Sequence, residues 1–360
     1  MYKKYLVQGN QCFVISNNHF IYYFNNEIII ENYNSSKKIN INNVNKLKLS
    51  SNYLIVSVDG KSKLLFDLKS FNRINLSIPN DIYIIGGQDF NNENLIVSKE
   101  ISLFENILGI YDLYNKTYYL KSDFYPEIIF NNHVFGGSYF RCIISYNLKN
   151  GEILWQTDIS QIGKHIPFPD EEEKEGEVKN FVGVYNNELI VQLTGGKFIG
   201  LDLENGKVNW EQNLVENNLT NQVIDYNFGD PYNPFLDEEN GKIYILQGEV
   251  FIVLDLLTKK ATYQWSSLNL PTEDYVFIRQ SNIYNNQIVF SAFRKGNIGN
   301  DDTIGIFDIK RNEIVWKHTF DFEKDNFIPN SNTNIQMSEN RIGALDWKGD
   351  LYIFEREKNK

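Results

Sequence analysis

The side chains able to do chemistry are few and scattered. Histidine occurs four times, as His19, His133, His165 and His318, and cysteine twice, as Cys12 and Cys142. Metal centres draw on clustered His, Cys and carboxylates, and a nucleophile needs a base within reach. Each histidine here is solitary in sequence, so a lyase, hydrolase or redox centre would have to be assembled by the fold from remote positions, as a central channel can do. No nucleophile elbow, phosphate-binding glycine loop, calcium-loop pattern or zinc-protease motif occurs. The stretch Gly296-Asn297-Ile298-Gly299-Asn300-Asp301-Asp302 offers hard oxygen donors between glycines, but its spacing matches no complete ligand loop and suits a long hairpin turn. No catalytic residue, cofactor or metal is therefore expected, and a channel-centred enzyme remains the alternative.

Recognition has better candidates. The segment 161–177 holds Pro167, Pro169 and the run Asp170-Glu171-Glu172-Glu173-Lys174-Glu175, too charged to bury and too long for a minimal turn. The segment 217–237 mixes Tyr226, Phe228, Asp230, Tyr232 and Phe235 with Pro231 and Pro234. Trp347 lies in the turn-like Asp346-Trp347-Lys348-Gly349-Asp350. Exposed aromatics on rigid loops have a desolvation reason to meet a partner. Partner-binding residues are therefore expected among Tyr226, Phe228, Asp230, Tyr232, Phe235, Trp347, Asp170, Glu171, Glu172 and Glu173. A solvated acidic loop is the structural alternative for the last four. Glycan or small-ligand binding would need aromatics lining a pocket, for which Trp347 is the one nominee.

Lys and Arg number 35 against 46 Asp and Glu, a formal charge of −11 with a pI near 5.0. That field opposes condensation on nucleic acid or an anionic membrane and attracts a basic protein, although modest acidity also serves solubility alone. No segment is apolar for long enough to cross a bilayer, and Gln8, Gly9, Asn10 and Gln11 interrupt any export-signal core after Lys3 and Lys4. A cytoplasmic location is the expectation. Cys12 and Cys142 fall in different repeat units, which argues against a disulfide.

The elements that must position these segments come from a repeat. The phrase YNLKNGEILW at 146–155 recurs as LDLENGKVNW at 201–210 and FDIKRNEIVW at 307–316, with weaker copies at 66–76, 111–120 and 254–265. Each reads as a strand, a polar turn opened by Asp or Asn, and a second strand carrying an aromatic residue. Asp202, Asp255 and Asp308 are suited to bond the turn backbone, and Asn150-Gly151 and Asn205-Gly206 to supply positive φ. Trp155, Trp210, Trp265 and Trp316 are expected to pack between units. With 42% hydrophobic residues, 22 Tyr and 25 Phe, the composition favours strands.

Units of this kind occupy about 3–34, 44–79, 82–123, 127–159, 178–214, 242–268, 276–320 and 334–357. The expected fold is all-β, a single closed β-propeller over residues 1–360 built of four-stranded antiparallel blades, with eight blades favoured and seven the alternative. The last unit ends one strand short, so the N-terminal strand near residues 5–8 is expected to complete it and close the ring.

The phrase L-D-L-x-x-G-K-x-x-W resembles the repeat of the pyrroloquinoline quinone-like propellers, the quinoprotein alcohol dehydrogenase-like family. The resemblance implies eight blades held together by the repeat residues. It does not extend to the cofactor, because the vicinal cysteine pair of the quinone enzymes is absent. The functional expectation is a non-enzymatic scaffold that binds a protein through loops on one face, in a narrower form an immunity or antitoxin-like inhibitor of a basic toxin.

Overall fold

All six copies of the repeat phrase fold as the third strand, turn and fourth strand of an antiparallel sheet. The turn works in the same way each time. The side-chain Oδ1 of Asp67, Asp112, Asn147, Asp202, Asp255 and Asp308 accepts the backbone N–H groups two and three residues on, satisfying donors that the reversing backbone would leave unpaired. The fifth residue then adopts positive φ: Phe71, Lys116, Gly151, Gly206, Lys259 and Asn312 lie between 51° and 70°. Only two of these are glycine, so the opening Asp or Asn rather than the glycine is the constant element. The paired asparagines Asn25-Asn26, Asn186-Asn187 and Asn285-Asn286, all at positive φ, form tight two-residue hairpins.

The structure, a computed structural model, describes residues 2–356 except 9–11, 17–18, 33–34, 51–52, 60–61, 76–77, 86–87, 90–93, 103–104, 121–123, 139–140, 167–170, 214–233, 248–249, 265–274, 295–301, 321–334 and 347. Four-stranded meanders span 13–40, 44–74, 82–120, 125–158, 178–213, 235–264 and 275–319, and an eighth combines 335–356 with the N-terminal strand. The fold is an eight-bladed, all-β propeller. The clearest copy in the sequence becomes blade 5, with strands Val178–Tyr185, Glu188–Leu193, Lys197–Asp202 and Val208–Asn213.

Strand Tyr2–Val7 runs antiparallel to Leu351–Arg356 as the fourth strand of blade 8, the place given to the N-terminal strand in the reading of the sequence. Two units differ in their bounds from the sequence expectation. Blade 1 runs over 13–40 rather than 3–34 and gains Ser36–Asn40, a polar strand with too few apolar residues to register as one. Blade 6 starts at Phe235–Asp237 rather than at 242, so the aromatic segment yields its last residues to a first strand.

Close approaches between neighbouring sheets run through first strands. Phe13–Ser16 meets Val44–Ser50, Val178–Tyr185 meets both Tyr125–Phe130 and Phe235–Asp237, and Ile335–Met337 meets both Tyr275–Tyr284 and Phe13–Ser16. First strands therefore surround the axis and fourth strands form the rim. Since strands alternate in direction, each rim strand ends and the next axial strand begins on one face, where the second strands also end and the third strands begin. The Asp-opened turns lie on the other. The core is the set of interfaces between blades, for example Ile128, Phe135, Ile143 and Trp155 of blade 4 against Leu189, Val191, Ile199 and Leu201 of blade 5.

A candidate interaction face

The rim-to-axis connections are unequal. Those after blades 1, 2 and 3 are short, ending at Val44, Ile82 and Tyr125, whereas those after blades 4, 5, 6 and 7 run from Asp158 to Val178, Asn213 to Phe235, Gln264 to Tyr275 and Thr319 to Ile335. The strand ends that these long connections join lie in succession on half of one face. Both segments singled out in the sequence belong to this series.

The acidic connection is built, not loose. Gly163 donates to the carbonyl of Ile159 and Gly176 to that of Ser160, while His165 and Lys174 exchange two backbone hydrogen bonds of 3.1 and 2.8 Å. The result is a narrow hairpin whose two legs meet at Gly163 and Gly176. A Cβ on Gly176 would stand 2.3 Å from the Cα of Gly163, so neither glycine can carry a side chain. The base is fastened to the scaffold: Thr194 donates its N–H to Glu177 and accepts that of Glu177 on Oγ1, Lys197 donates to the carbonyl of Ile162, and Arg141 pairs with Glu175 and, at 3.9 Å, with Glu177. Arg141 and Thr194 come from the second-to-third strand turns of blades 4 and 5, which emerge on the same face.

This platform holds Glu171, Glu172 and Glu173 exposed, with Lys174 on Glu171 and Lys164 near Glu173 as surface pairs worth little each. Ile166 is half exposed on the same hairpin. Tyr125 and Phe235 are also substantially exposed, and each opens a first strand, of blades 4 and 6, on this face. Ile166 and Tyr125 had no marker in the sequence, since one follows a histidine in a loop and the other starts an ordinary strand. Asp170, Tyr226, Phe228, Asp230, Tyr232 and Trp347 lie outside the described residues. Of the expected partner-binding set, the structure therefore places Phe235, Glu171, Glu172 and Glu173, all exposed and all on one face.

The tryptophans of the repeat are used between blades. Trp155 Nε1 donates to the carbonyl of Leu203 at 2.7 Å, and its ring covers Gly206 in the turn of blade 5. Trp210 Nε1 donates to Glu188 at 2.8 Å and lies under the Lys259 ammonium of blade 6, 4.4 Å from the ring centroid. Glu188 also accepts from Lys259 and Asn209. Burial alone would raise this carboxyl, but these hydrogen bonds and the lysine charge outweigh it and hold Glu188 below the usual range. Trp316 meets Phe354 of blade 8 edge-on. Trp265 falls outside the described residues.

Away from this face, the titratable groups lie apart from one another among the described residues. No group of three or more His, Cys, Asp or Glu suited to a metal occurs among the described residues. His133 bonds Ser145 Oγ, and burial lowers it; His19 meets Phe71 edge-on and is lowered by burial as well. Cys12 and Cys142 are free thiols, and burial pushes Cys12 up to about 11, which makes it inert as a nucleophile. On the axial strands, partial desolvation by the neighbouring strands raises Glu127 above its ordinary range although the residue keeps solvent contact, and burial with the neighbouring charge of Lys46 pushes Lys48 down to about 8. Between that value and the ordinary 10.5 the unfolded state holds more protons than the folded one, so stability gains from Lys48 as pH rises through this window. Lys48→Met should remove that gain, raising stability at pH 7 by about 1 kcal/mol after solvent screening is discounted and converging on wild type near pH 10. Urea midpoints of both proteins at the two pH values measure it.

The sequence signature described as outer membrane protein assembly factor BamB matches residues 178–318, which are blades 5 to 7. The resemblance to the pyrroloquinoline quinone-like repeat is thus shown over that segment. No curated protein matches this sequence. Among solved structures, the C-terminal WD40 domain of Sif2 is similar over 99% of both proteins at 9% identity and a TM-score of 0.59. Saccharomyces cerevisiae Sqt1 covers 99% of this protein and 98% of its own length at 10% identity and a TM-score of 0.54. The computationally designed Ika8 protein covers 97% and 96% at 10% identity and a TM-score of 0.54. Likeness at this identity is likeness of fold.

Proposed function

We propose that the protein is a non-enzymatic propeller scaffold that binds a protein partner through the face carrying the long rim-to-axis connections. The partner it fits presents Lys or Arg side chains around an apolar contact, and an immunity or antitoxin-like inhibitor of a basic toxin is the narrower form. One observation carries the proposal: a hairpin with exposed Glu171, Glu172 and Glu173 is fastened to two blades by Arg141, Thr194 and Lys197, and exposed Ile166, Tyr125 and Phe235 lie on the same face. A merely solvated loop has no need of that fastening, whereas a recognition element gains affinity from being held in place before binding. Acidic residues there would steer a basic partner and set the salt dependence, while the apolar residues would supply the desolvated contact.

The test is capture from the native host with the immobilised protein. Wild type should retain one stoichiometric partner, more weakly as salt rises. The combined Glu171→Lys, Glu172→Lys and Glu173→Lys variant and the Ile166→Asp variant should each lose about tenfold or more in affinity while keeping the wild-type unfolding midpoint. Undiminished binding by both would reject this face.

A further inference from the structure

Three Asn-Gly pairs stand in described turns: Asn150-Gly151, Asn205-Gly206 and Asn240-Gly241. In each the asparagine is exposed and the glycine has positive φ, at 69°, 70° and 61°. The first two occupy the same place in the same Asp/Asn-opened turn, in blades 4 and 5. Their glycine N–H groups make the same bond, to the carbonyl of Asn147 at 2.8 Å and of Asp202 at 2.9 Å. What differs is the cover. Gly206 is buried beneath Trp155, whose ring would stand 2.4 Å from an added Cβ, and Gly241 lies beneath Tyr185 in the same manner. Nothing among the described residues lies within 4 Å of that position on Gly151. The sequence explains the difference: blade 3 carries Leu120 where blade 4 carries Trp155.

An uncovered Asn-Gly pair is a site of covalent change. We infer that Asn150 is a selective self-modification site, converting to aspartate and isoaspartate while Asn205 and Asn240 are protected by the aromatic rings of neighbouring elements. The Gly151 nitrogen, after losing its proton to hydroxide or a buffer base, attacks the amide carbon of the Asn150 side group. The new bond from nitrogen to carbon closes a five-membered imide, and the bond from that carbon to the original amide nitrogen breaks as ammonia leaves with a proton from solvent. Water then opens the ring at either carbonyl, and no oxidant or reductant takes part. Closure requires the backbone at Gly151 to swing out of its hydrogen bond, a motion that open space permits and a stacked indole opposes. Glu152 bonds the leaving amide nitrogen at 2.8 Å, holding the asparagine at the turn surface. The product carries one more negative charge, on the face opposite the acidic hairpin.

The experiment is peptide mapping with isoaspartate detection after incubating the whole protein at neutral and mildly alkaline pH. Conversion at Asn150 should be several-fold faster than at Asn205 or Asn240 and should quicken with pH. The variant Trp155→Leu, which gives blade 4 the residue blade 3 has, should raise the rate at Asn205 toward that of Asn150 in the fraction that remains folded. Equal rates at the three sites in the folded wild type would overturn the inference, and so would an unchanged Asn205 rate in folded Trp155→Leu. A urea-unfolded sample, in which all three sites are open, sets the reference against which failure of Asn150 to convert would also overturn it.

Discussion

Trp155→Ala should lower the unfolding free energy by about 3–5 kcal/mol, the largest single loss expected of any residue in the repeat. The indole is buried, and it does three things at once. It fills the interface between blades 4 and 5 among Phe135, Leu189, Val191 and Leu203. Its Nε1 satisfies the Leu203 carbonyl, which would otherwise stay buried without that donor. Its face covers Gly206, whose turn can then lie flat against the neighbouring blade. Trp155→Phe separates these roles. It keeps most of the volume and loses the hydrogen bond, so its cost should be about 1–3 kcal/mol. Urea unfolding of both variants measures the difference; equal and small losses would show that the indole does not join the blades.

These roles were partly legible in the residues. The Asp- or Asn-opened turn repeats at fixed spacing, so its local hydrogen bonding and, in the three strongest copies, the tryptophan eight residues later could be read directly. The direction of packing across blades was legible at Trp155, Trp210 and Trp316 too, because a tryptophan that recurs once in successive units has no other large surface to meet. The rim strand Ser36–Asn40 was not, because an edge strand of Lys, Asn and Ser carries almost no apolar signal. The same limit applied to the site. Glu171, Glu172 and Glu173 announce exposure by charge density, yet nothing in the sequence says that Gly163 and Gly176 pinch the loop into a hairpin, since a glycine's reason for being there is its neighbour in space. Arg141 and Lys197, which fasten that hairpin, are ordinary surface cations until the fold brings them together.

Covalent closure of the ring should have the second large effect, this time stabilising. Lys3 and Glu355 are direct partners in the pairing of the first strand with the last, and cysteines at both positions should form an intramolecular disulfide in the monomer. A crosslink between nearly the two ends of the protein removes more unfolded-state entropy than one closing a short loop, up to about 5 kcal/mol where the native geometry is unstrained. The native thiols compete little, since burial raises both Cys12 and Cys142. Removing residues 1–7 should act in the opposite sense. It strips the paired edge from Leu351–Arg356 and takes away Lys4, whose ammonium lies over the rings of Phe320 and Tyr352 at 5.1 and 4.9 Å. An open edge of that length invites pairing with another molecule, so the protein lacking residues 1–7 should associate at concentrations where the 1–360 protein stays monomeric. Size-exclusion chromatography with non-reducing electrophoresis reads both outcomes. A crosslink found only between molecules would mean that the ends do not meet within one ring.

Ring closure fixes which connections share a face, and the proposed function depends on that sharing. Hydrogen exchange of the protein alone and with its captured partner tests it most directly. The account predicts slowed exchange in 160–177 and at the heads of the strands opened by Tyr125 and Phe235, with no change in the Asp-opened turns at 67–71, 112–116, 202–206, 255–259 and 308–312. Protection confined to those turns, with the acidic hairpin exchanging as it does in the free protein, would contradict it.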